Sequence, residues 1–271
     1  MTSEIAAFRK AVLGYYETSG RNTLPWRLNA APWPVLVSEF MLQQTQIERV
    51  IPYWKRWMGL WPEPGDLADA PLADALREWN GLGYNRRGRF LWECARRIAG
   101  EYGGVVPDTP EKLITLPGVG SYTAGAVACF AYDYPAVFIE TNIRAALIHF
   151  FFADRERVHD TELVGILEES LCGEDNPRVW YWALMDYGAA LKKAAPNPNR
   201  RSAHYTRQSR FEGSFRQWRG AILRSLVAEG PASANNLAER TGIEPDRLYD
   251  ALAALEKDFM VACDGGVYSA G

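Results

Sequence analysis

No cysteine pair in this chain has a metal-binding spacing: Cys94, Cys129, Cys172 and Cys263 stand 35, 43 and 91 positions apart. The absence of CxxC and CxH patterns argues against a zinc or iron–sulfur site and sets a reduced, intracellular protein as the expectation. No apolar run approaches the eighteen or so residues that a membrane span requires. The start, Met1-Thr2-Ser3-Glu4, lacks the basic residues of a signal peptide. The three histidines, His149, His159 and His204, are scattered and form no ligand set, so they read as structural. Strand-like alternation is nearly absent, and there are no internal repeats or low-complexity tracts. The formal net charge is only −3, so no global field of either sign announces a partner.

The 271 residues are 48% hydrophobic and 13% aromatic, which implies a packed globule of two modest domains or one helical body with an appendage. Residues 4–18 carry Ile5, Phe8, Val12, Tyr15 and Tyr16 at helical spacing. Between Asn22 and Pro34, three prolines and two tryptophans predict a fixed, non-helical loop that delivers Leu24-Pro25-Trp26-Arg27 to the body. Helical patterns follow over roughly 37–58, 66–79, 86–102, 110–115, 121–132, 140–152, 160–171 and 177–192, so the body is all-α. Pro196-Asn197-Pro198-Asn199 breaks the pattern. This predicts a body over 1–193, a basic linker over 194–213 and a small domain over 214–271. In the last segment a helix bearing Trp218, Ile222, Leu223 and Leu226 precedes two helices joined at Gly242 and a hairpin around Asp264-Gly265-Gly266. Three helices and a hairpin resemble a winged helix, and both DNA contact and protein contact fit it. From Lys192 to Arg224, nine basic residues (Lys192, Lys193, Arg200, Arg201, Arg207, Arg210, Arg216, Arg219, Arg224) stand against one acid, Glu212. Such a stretch suits a polyanion, or forms a solvated tail.

Two stretches carry chemistry. The first, Val37 to Gln46 (VSEFMLQQTQ), puts the single acid Glu39 in an apolar, amide-rich helical run, with Ser38 as the helix-start residue. Glu39 is then a first-turn acid favoured by the helix dipole, or a working acid. The second, Leu116-Pro117-Gly118-Val119-Gly120-Ser121-Tyr122-Thr123-Ala124, places two glycines before a helix start, where backbone N–H groups can receive a phosphate or the glycines form an ordinary helix connection.

With Leu24-Pro25-Trp26-Arg27, Trp79-Asn80-Gly81-Leu82-Gly83-Tyr84 and Met185-Asp186-Tyr187-Gly188-Ala189, these motifs resemble, in order and approximate spacing over about residues 5–192, the helix-hairpin-helix DNA glycosylase superfamily, and within it the MutY adenine glycosylase branch. The resemblance implies two helical lobes and duplex DNA carrying a lesion or mismatch as partner. It also implies a monomer, cytoplasmic and nucleoid-associated if bacterial or archaeal, in base excision repair. Cleaving an N-glycosidic bond calls for two carboxylates in different protonation states. The resemblance assigns Glu39 as the general acid, expected in an apolar pocket that raises its pKa. It assigns the second carboxylate to Glu140, with Asn142 beside it, where the family has Asp followed by Gly-Asn. The extra methylene moves the carboxylate by about one ångström, a displacement that can cost on the order of a hundredfold in rate; Glu140 also reads as a helix N-terminal acid. Tyr122 stands where endonuclease III relatives carry a Schiff-base lysine, which implies a monofunctional enzyme without lyase chemistry. Gln44 and Tyr84 match intercalating positions, Thr45 one that faces the opposite base, and Trp26, Arg27 and Leu42 ones near the flipped base, with core aromatics as the other reading of Trp26 and Tyr84. Gly118, Val119 and Gly120 meet the DNA backbone. Arg86, Arg200 and Arg201 are further phosphate candidates, with a solvated surface as their other reading.

The chain departs from the family twice. After Gly188-Ala189 the relatives present four cysteines holding an iron–sulfur cluster, whereas here Leu191 to Pro196 contain none, so no cofactor is expected. Residues 214–271 are too short and helix-rich for the Nudix-like domain that inspects 8-oxoguanine. The leading expectation is adenine excision. The others are excision of uracil, hypoxanthine or an alkylated base, or a catalytically silent winged-helix DNA-binding protein on a glycosylase scaffold.

Overall fold

A computed structural model describes residues 2–194, 196–206 and 210–271. Of the basic run, Arg207 lies outside them, as do residues 195, 208 and 209 of the expected linker. Among the described residues the helices are α1 (Ser3–Ser19), α2 (Pro25–Leu28), α3 (Pro32–Leu42), α4 (Ile47–Leu60), α5 (Pro64–Asp69), α6 (Leu72–Trp79), α7 (Arg86–Glu101) and α8 (Pro110–Leu113). They continue with α9 (Ser121–Tyr132), α10 (Thr141–Phe151), α11 (Asp160–Leu171), α12 (Pro177–Ala194), α13 (Phe215–Glu229), α14 (Ala234–Thr241) and α15 (Pro245–Lys257). No described helix is long and apolar enough to cross a membrane.

Two compact units form, and neither is continuous in sequence: Met1–Leu36 with Pro107–Arg207, and Val37–Val106 with Gln208–Gly271. The boundary falls inside α3. Residues 214–271 therefore share a unit with 37–106 instead of standing alone.

In the first unit, Thr2 caps α1 by accepting from Ile5 N, and Ile5, Phe8 and Val12 turn one face inward. Phe8 meets the rings of Phe150, Phe151 and Trp180 at 5.1, 5.0 and 5.8 Å. This cluster joins α1, α10 and α12 through aromatic area and edge-on ring geometry. Phe138 stacks on Tyr181 at 3.9 Å, and the Tyr181 hydroxyl donates to Ala136 O at 2.8 Å. A 3-10 turn at Pro198–Arg201 is pinned to the same unit. Asn199 Nδ2 donates to Thr141 O at 2.8 Å, and Val158 N to Arg201 O at 2.8 Å.

In the second unit, Trp57 packs between Trp61 and Trp79, with centroids at 4.6 and 5.5 Å. Leu76 of α6 enters one buried cluster with Ile222, Leu223, Leu226, Leu237, Leu252 and Leu255. That shared apolar core is why 214–271 belongs to this unit. The terminal sheet has three strands in the order β1 (Ala232–Ser233), β3 (Val267–Ala270), β2 (Val261–Asp264), both pairs antiparallel. The expected hairpin is thus joined by a two-residue strand, while Ser233 also caps α14.

Three expectations need correction. The proline-rich segment is not all loop: α2 starts at Pro25 and α3 at Pro32, with Pro34 still in the first turn. Proline lacks an N–H that the first turn would leave unpaired anyway, so it suits helix starts. Ser38 is consequently not a helix start but the seventh residue of α3. The helices expected over 37–58 and 66–79 are each broken, at Gln43–Gln46 and at Ala70-Pro71.

Candidate active site and nucleic-acid interface

Because α3 begins at Pro32, Glu39 is its eighth residue and lies beyond the first turn, where the dipole favours an acid. It is 4% exposed, and its chain neighbours Leu36, Val37, Phe40 and Met41 are fully enclosed. A surface first-turn acid is therefore excluded. Glu4, Glu48 and Glu111, the first-turn acids of α1, α4 and α8, are all exposed, so enclosure sets Glu39 apart from them.

The end of α3 leads into a loop where Gln44 adopts the left-handed region at φ 55°. A second loop, after α6, holds Tyr84 at φ 50°. Each non-glycine residue there costs ~1–2 kcal/mol. What holds both loops is Arg87, 7% exposed near the start of α7. Its Nη1 donates to Phe40 O at 2.9 Å, to Met41 O at 3.0 Å and to Gln43 O. Its Nη2 donates to Gly83 O at 2.9 Å and to the Thr45 hydroxyl at 3.1 Å. The guanidinium also lies over the Trp79 and Tyr84 rings, at 5.3 and 5.4 Å. Burial pulls its pKa down to about 10, still far above neutrality, so it remains a cation. Of its neighbours, Arg86 is exposed and 3.6 Å from Asp258, and Arg89 pairs with Glu93. Leu42 and Thr45 are half-buried and Gln44 is exposed. The structure thus brings Glu39, Leu42, Gln44, Thr45, Tyr84 and Arg86 into one unit.

The remaining candidates belong to the other unit. Glu140 is the N-cap of α10: Oε1 accepts from Asn142 N at 2.6 Å and Ile143 N at 2.9 Å, and Oε2 from Asn142 Nδ2 at 3.2 Å. The helix N-terminal reading of this acid is therefore a fact of the structure. Burial pushes its carboxyl above the usual glutamate range, against the pull of the two backbone N–H groups and of Lys192 and Arg144. The site depends on a close helix crossing. A Cβ on Gly188 of α12 would stand 1.9 Å from Asn142 O and 2.6 Å from its carbonyl carbon, and backbone cannot swing aside. Gly188→Ala should therefore displace α10, costing about 1–3 kcal/mol as overpacking and lowering Tm by several degrees. A thermal melt coincident with wild type would refute this dependence.

Asp186, two residues earlier, accepts from Arg21 N and Nε, both at 2.7 Å, and from Arg27 Nη1 and Nη2 at 2.8 and 2.9 Å. Burial alone would raise its carboxyl; these cations reverse that and hold it below the ordinary aspartate range. Arg27 is buried with Trp26 in α2 and lies over the Trp182 ring at 5.1 Å. In the glycine-rich turn, Gly118 has φ 73°, which explains its identity, and Val119 N donates to Leu116 O at 3.2 Å. Gly120 opens α9 without a side-chain cap. Tyr122 is half-buried, edge-on to Phe138 at 5.8 Å. Arg200 is exposed, whereas Arg201 Nη1 donates to Phe152 O at 2.9 Å near the end of α10.

Sequence reasoning gave neither Arg87 nor Asp186 a role of its own. A signal existed for each. Arg87 is in helical register with Leu91, Cys94 and Ile98, all enclosed, and Asp186 follows the apolar run Trp180 to Met185. An ion on a buried stripe requires partners.

Comparison with known proteins identifies the family. Residues 37–167 match the model of the HhH-GPD superfamily base excision DNA repair protein. An adenine DNA glycosylase of Mycolicibacterium smegmatis is 37% identical over 228 residues, covering 78% of each chain. One of Mycobacterium tuberculosis is 53% identical over 134 residues, 49% of this chain and 44% of that protein, so this chain spans less than half of that relative's length. The solved structure of a thermostable thymine-DNA glycosylase superposes with TM-score 0.60 at 26% identity, covering 69% of this chain and 86% of that one. At 37% identity over 78% of both chains, and with the family model matched, the chain belongs to the HhH-GPD superfamily, on its adenine DNA glycosylase branch.

Proposed function

We propose that this chain is a monofunctional DNA glycosylase that extrudes a mispaired or damaged base, adenine first, from duplex DNA and hydrolyses its N-glycosidic bond. The observation that carries this reading is Glu39, an enclosed carboxylate in the interior of α3 beside a latched loop pair. In the reaction Glu39 donates a proton to the base, the C1′–N bond breaks with its electron pair leaving on the base, and water adds to the sugar cation, its released proton restoring the Glu39 carboxyl. Glu140 stabilises that cation as a carboxylate. Tyr122 offers no amine, so no Schiff base forms and the strand is left intact. Gln44 and Tyr84 fill the gap left by the base. The uncapped start of α9 and the exposed Arg200 receive phosphates.

The proposed reaction runs through no cofactor, as the spacing of Cys94, Cys129, Cys172 and Cys263 leads us to expect. Of the four cysteines, Cys94 and Cys129 are enclosed in α7 and α9, while Cys172 and Cys263 are exposed on other elements.

Excision of a different base is the second reading, and Glu140 in place of the usual aspartate favours it. The test is strand scission after hot alkali on duplexes carrying A:8-oxoguanine, A:G, uracil, hypoxanthine or an alkylated base. Cleavage at adenine, dependent on alkali, is expected. Cleavage only at another base selects the second reading, and binding without cleavage of any duplex leaves a silent DNA-binding protein and overturns both.

A further inference from the structure

Arg216 is the second residue of α13, where the positive end of the helix dipole disfavours a cation. Its guanidinium lies over the Tyr84 ring at 4.9 Å and the Phe211 ring at 5.3 Å, and Nη1 donates to the Tyr84 hydroxyl. Among the described residues no carboxylate pairs with it, whereas Arg219, one turn later, pairs with Asp258. The helix that carries it is fixed: Ile222, Leu223 and Leu226 are packed into the same core as Leu76 of α6, and Arg89 donates to Asp258 O. Tyr84 is thereby bracketed, with Arg87 at the start of α7 on one side and Arg216 reaching from residues 214–271. A ring that enters a base stack must be held at one angle, and a stacked, hydrogen-bonded guanidinium supplies that constraint.

We propose that Arg216 is a positioning residue that aims Tyr84 for insertion into the duplex, so that residues 214–271 serve as a brace of the base-extruding loop. The proposal rests on the reading of Tyr84 given above. The surface of the module argues against the alternative of an independent DNA reader. Its α15 exposes Asp246 and Asp250 and also carries Glu256, against Lys257 and an Arg247 that lies over Trp218 at 5.0 Å. An acidic helix repels phosphate.

The test is a double-mutant cycle on Arg216 and Tyr84, read by the fluorescence of 2-aminopurine at the extruded position, with duplex affinity measured alongside. Arg216→Ala is expected to lower the extrusion equilibrium about tenfold at unchanged affinity, Arg216→Lys to restore part of it, and Tyr84→Phe to lose the share carried by the hydroxyl. In a Tyr84→Ala background Arg216→Ala should add nothing, because its action passes through the ring. An undiminished effect in that background, or normal extrusion by Arg216→Ala, overturns the proposal. Should Arg216→Ala fail to fold, Tyr84→Phe decides, and normal extrusion by it overturns the proposal. Wild-type protein that binds duplex without a fluorescence change removes the role of Tyr84, and the proposal with it. That outcome is distinct from wild-type extrusion that ignores Arg216.

Discussion

Glu39→Gln is expected to slow base release by roughly 10²–10⁴-fold, the range that a general acid supplies, while duplex affinity and Tm stay close to wild type. Glutamine matches glutamate in shape and can fill the same enclosed position in α3, 4% exposed. It cannot hand over a proton. The substitution therefore separates chemistry from packing, which Glu39→Ala would confuse by opening a cavity. Single-turnover release of adenine, with binding followed by fluorescence anisotropy, gives both quantities. Release within threefold of wild type would remove Glu39 from the acid role, whatever duplex the enzyme prefers.

The largest effect on stability is expected from Arg87→Ala. Carbonyls of Phe40, Met41, Gln43 and Gly83 and the hydroxyl of Thr45 would lose a charged donor at once, and water reaches this buried position poorly. Bonds to a charged group contribute about 1.5–3 kcal/mol each in isolation. They are not additive, and the loops can relax, so the loss is set at about 3–5 kcal/mol, at the upper end for single substitutions. In a chain of this size that corresponds to a fall of roughly 10 °C in Tm. Arg87→Lys should recover little, since an ammonium has three donors on one atom and cannot span both loops. A thermal or urea denaturation curve checks this, and an Arg87→Ala protein melting within two degrees of wild type would show that the latch contributes nothing.

The helical class, the core face of α1 and the order of the glycosylase motifs are legible in the residues, because each rests on local periodicity or turn chemistry. The break at Gln43–Gln46 is not. No glycine or proline marks it, and Gln44 is left-handed where Arg87, distant in sequence, holds the Met41 and Gln43 carbonyls before it and the Thr45 hydroxyl after it. The start of α3 is hidden for the opposite reason: Pro32 and Pro34 look like breakers until they are counted as first-turn residues. That shift of register changes the meaning of Glu39, whose first-turn explanation disappears once the helix is known to begin seven residues before it. The brace by residues 214–271 is equally illegible, since Leu76 and Leu223 belong to one core only in three dimensions. Glu140 kept both of its readings at the level of sequence, and the structure adds capping without removing catalysis.

The sharing of one guanidinium by two loops also bears on how this protein can change. Gln44 and Tyr84 sit on separate stretches of chain, yet the backbone strain of each is held by hydrogen bonds from the same side chain. A replacement that loosens one loop shifts Arg87 and is felt in the other. Because the acceptors at Gln43 and Gly83 are main-chain carbonyls, side-chain variation in either loop can keep the latch, whereas a change at Arg87 itself reaches both loops at once.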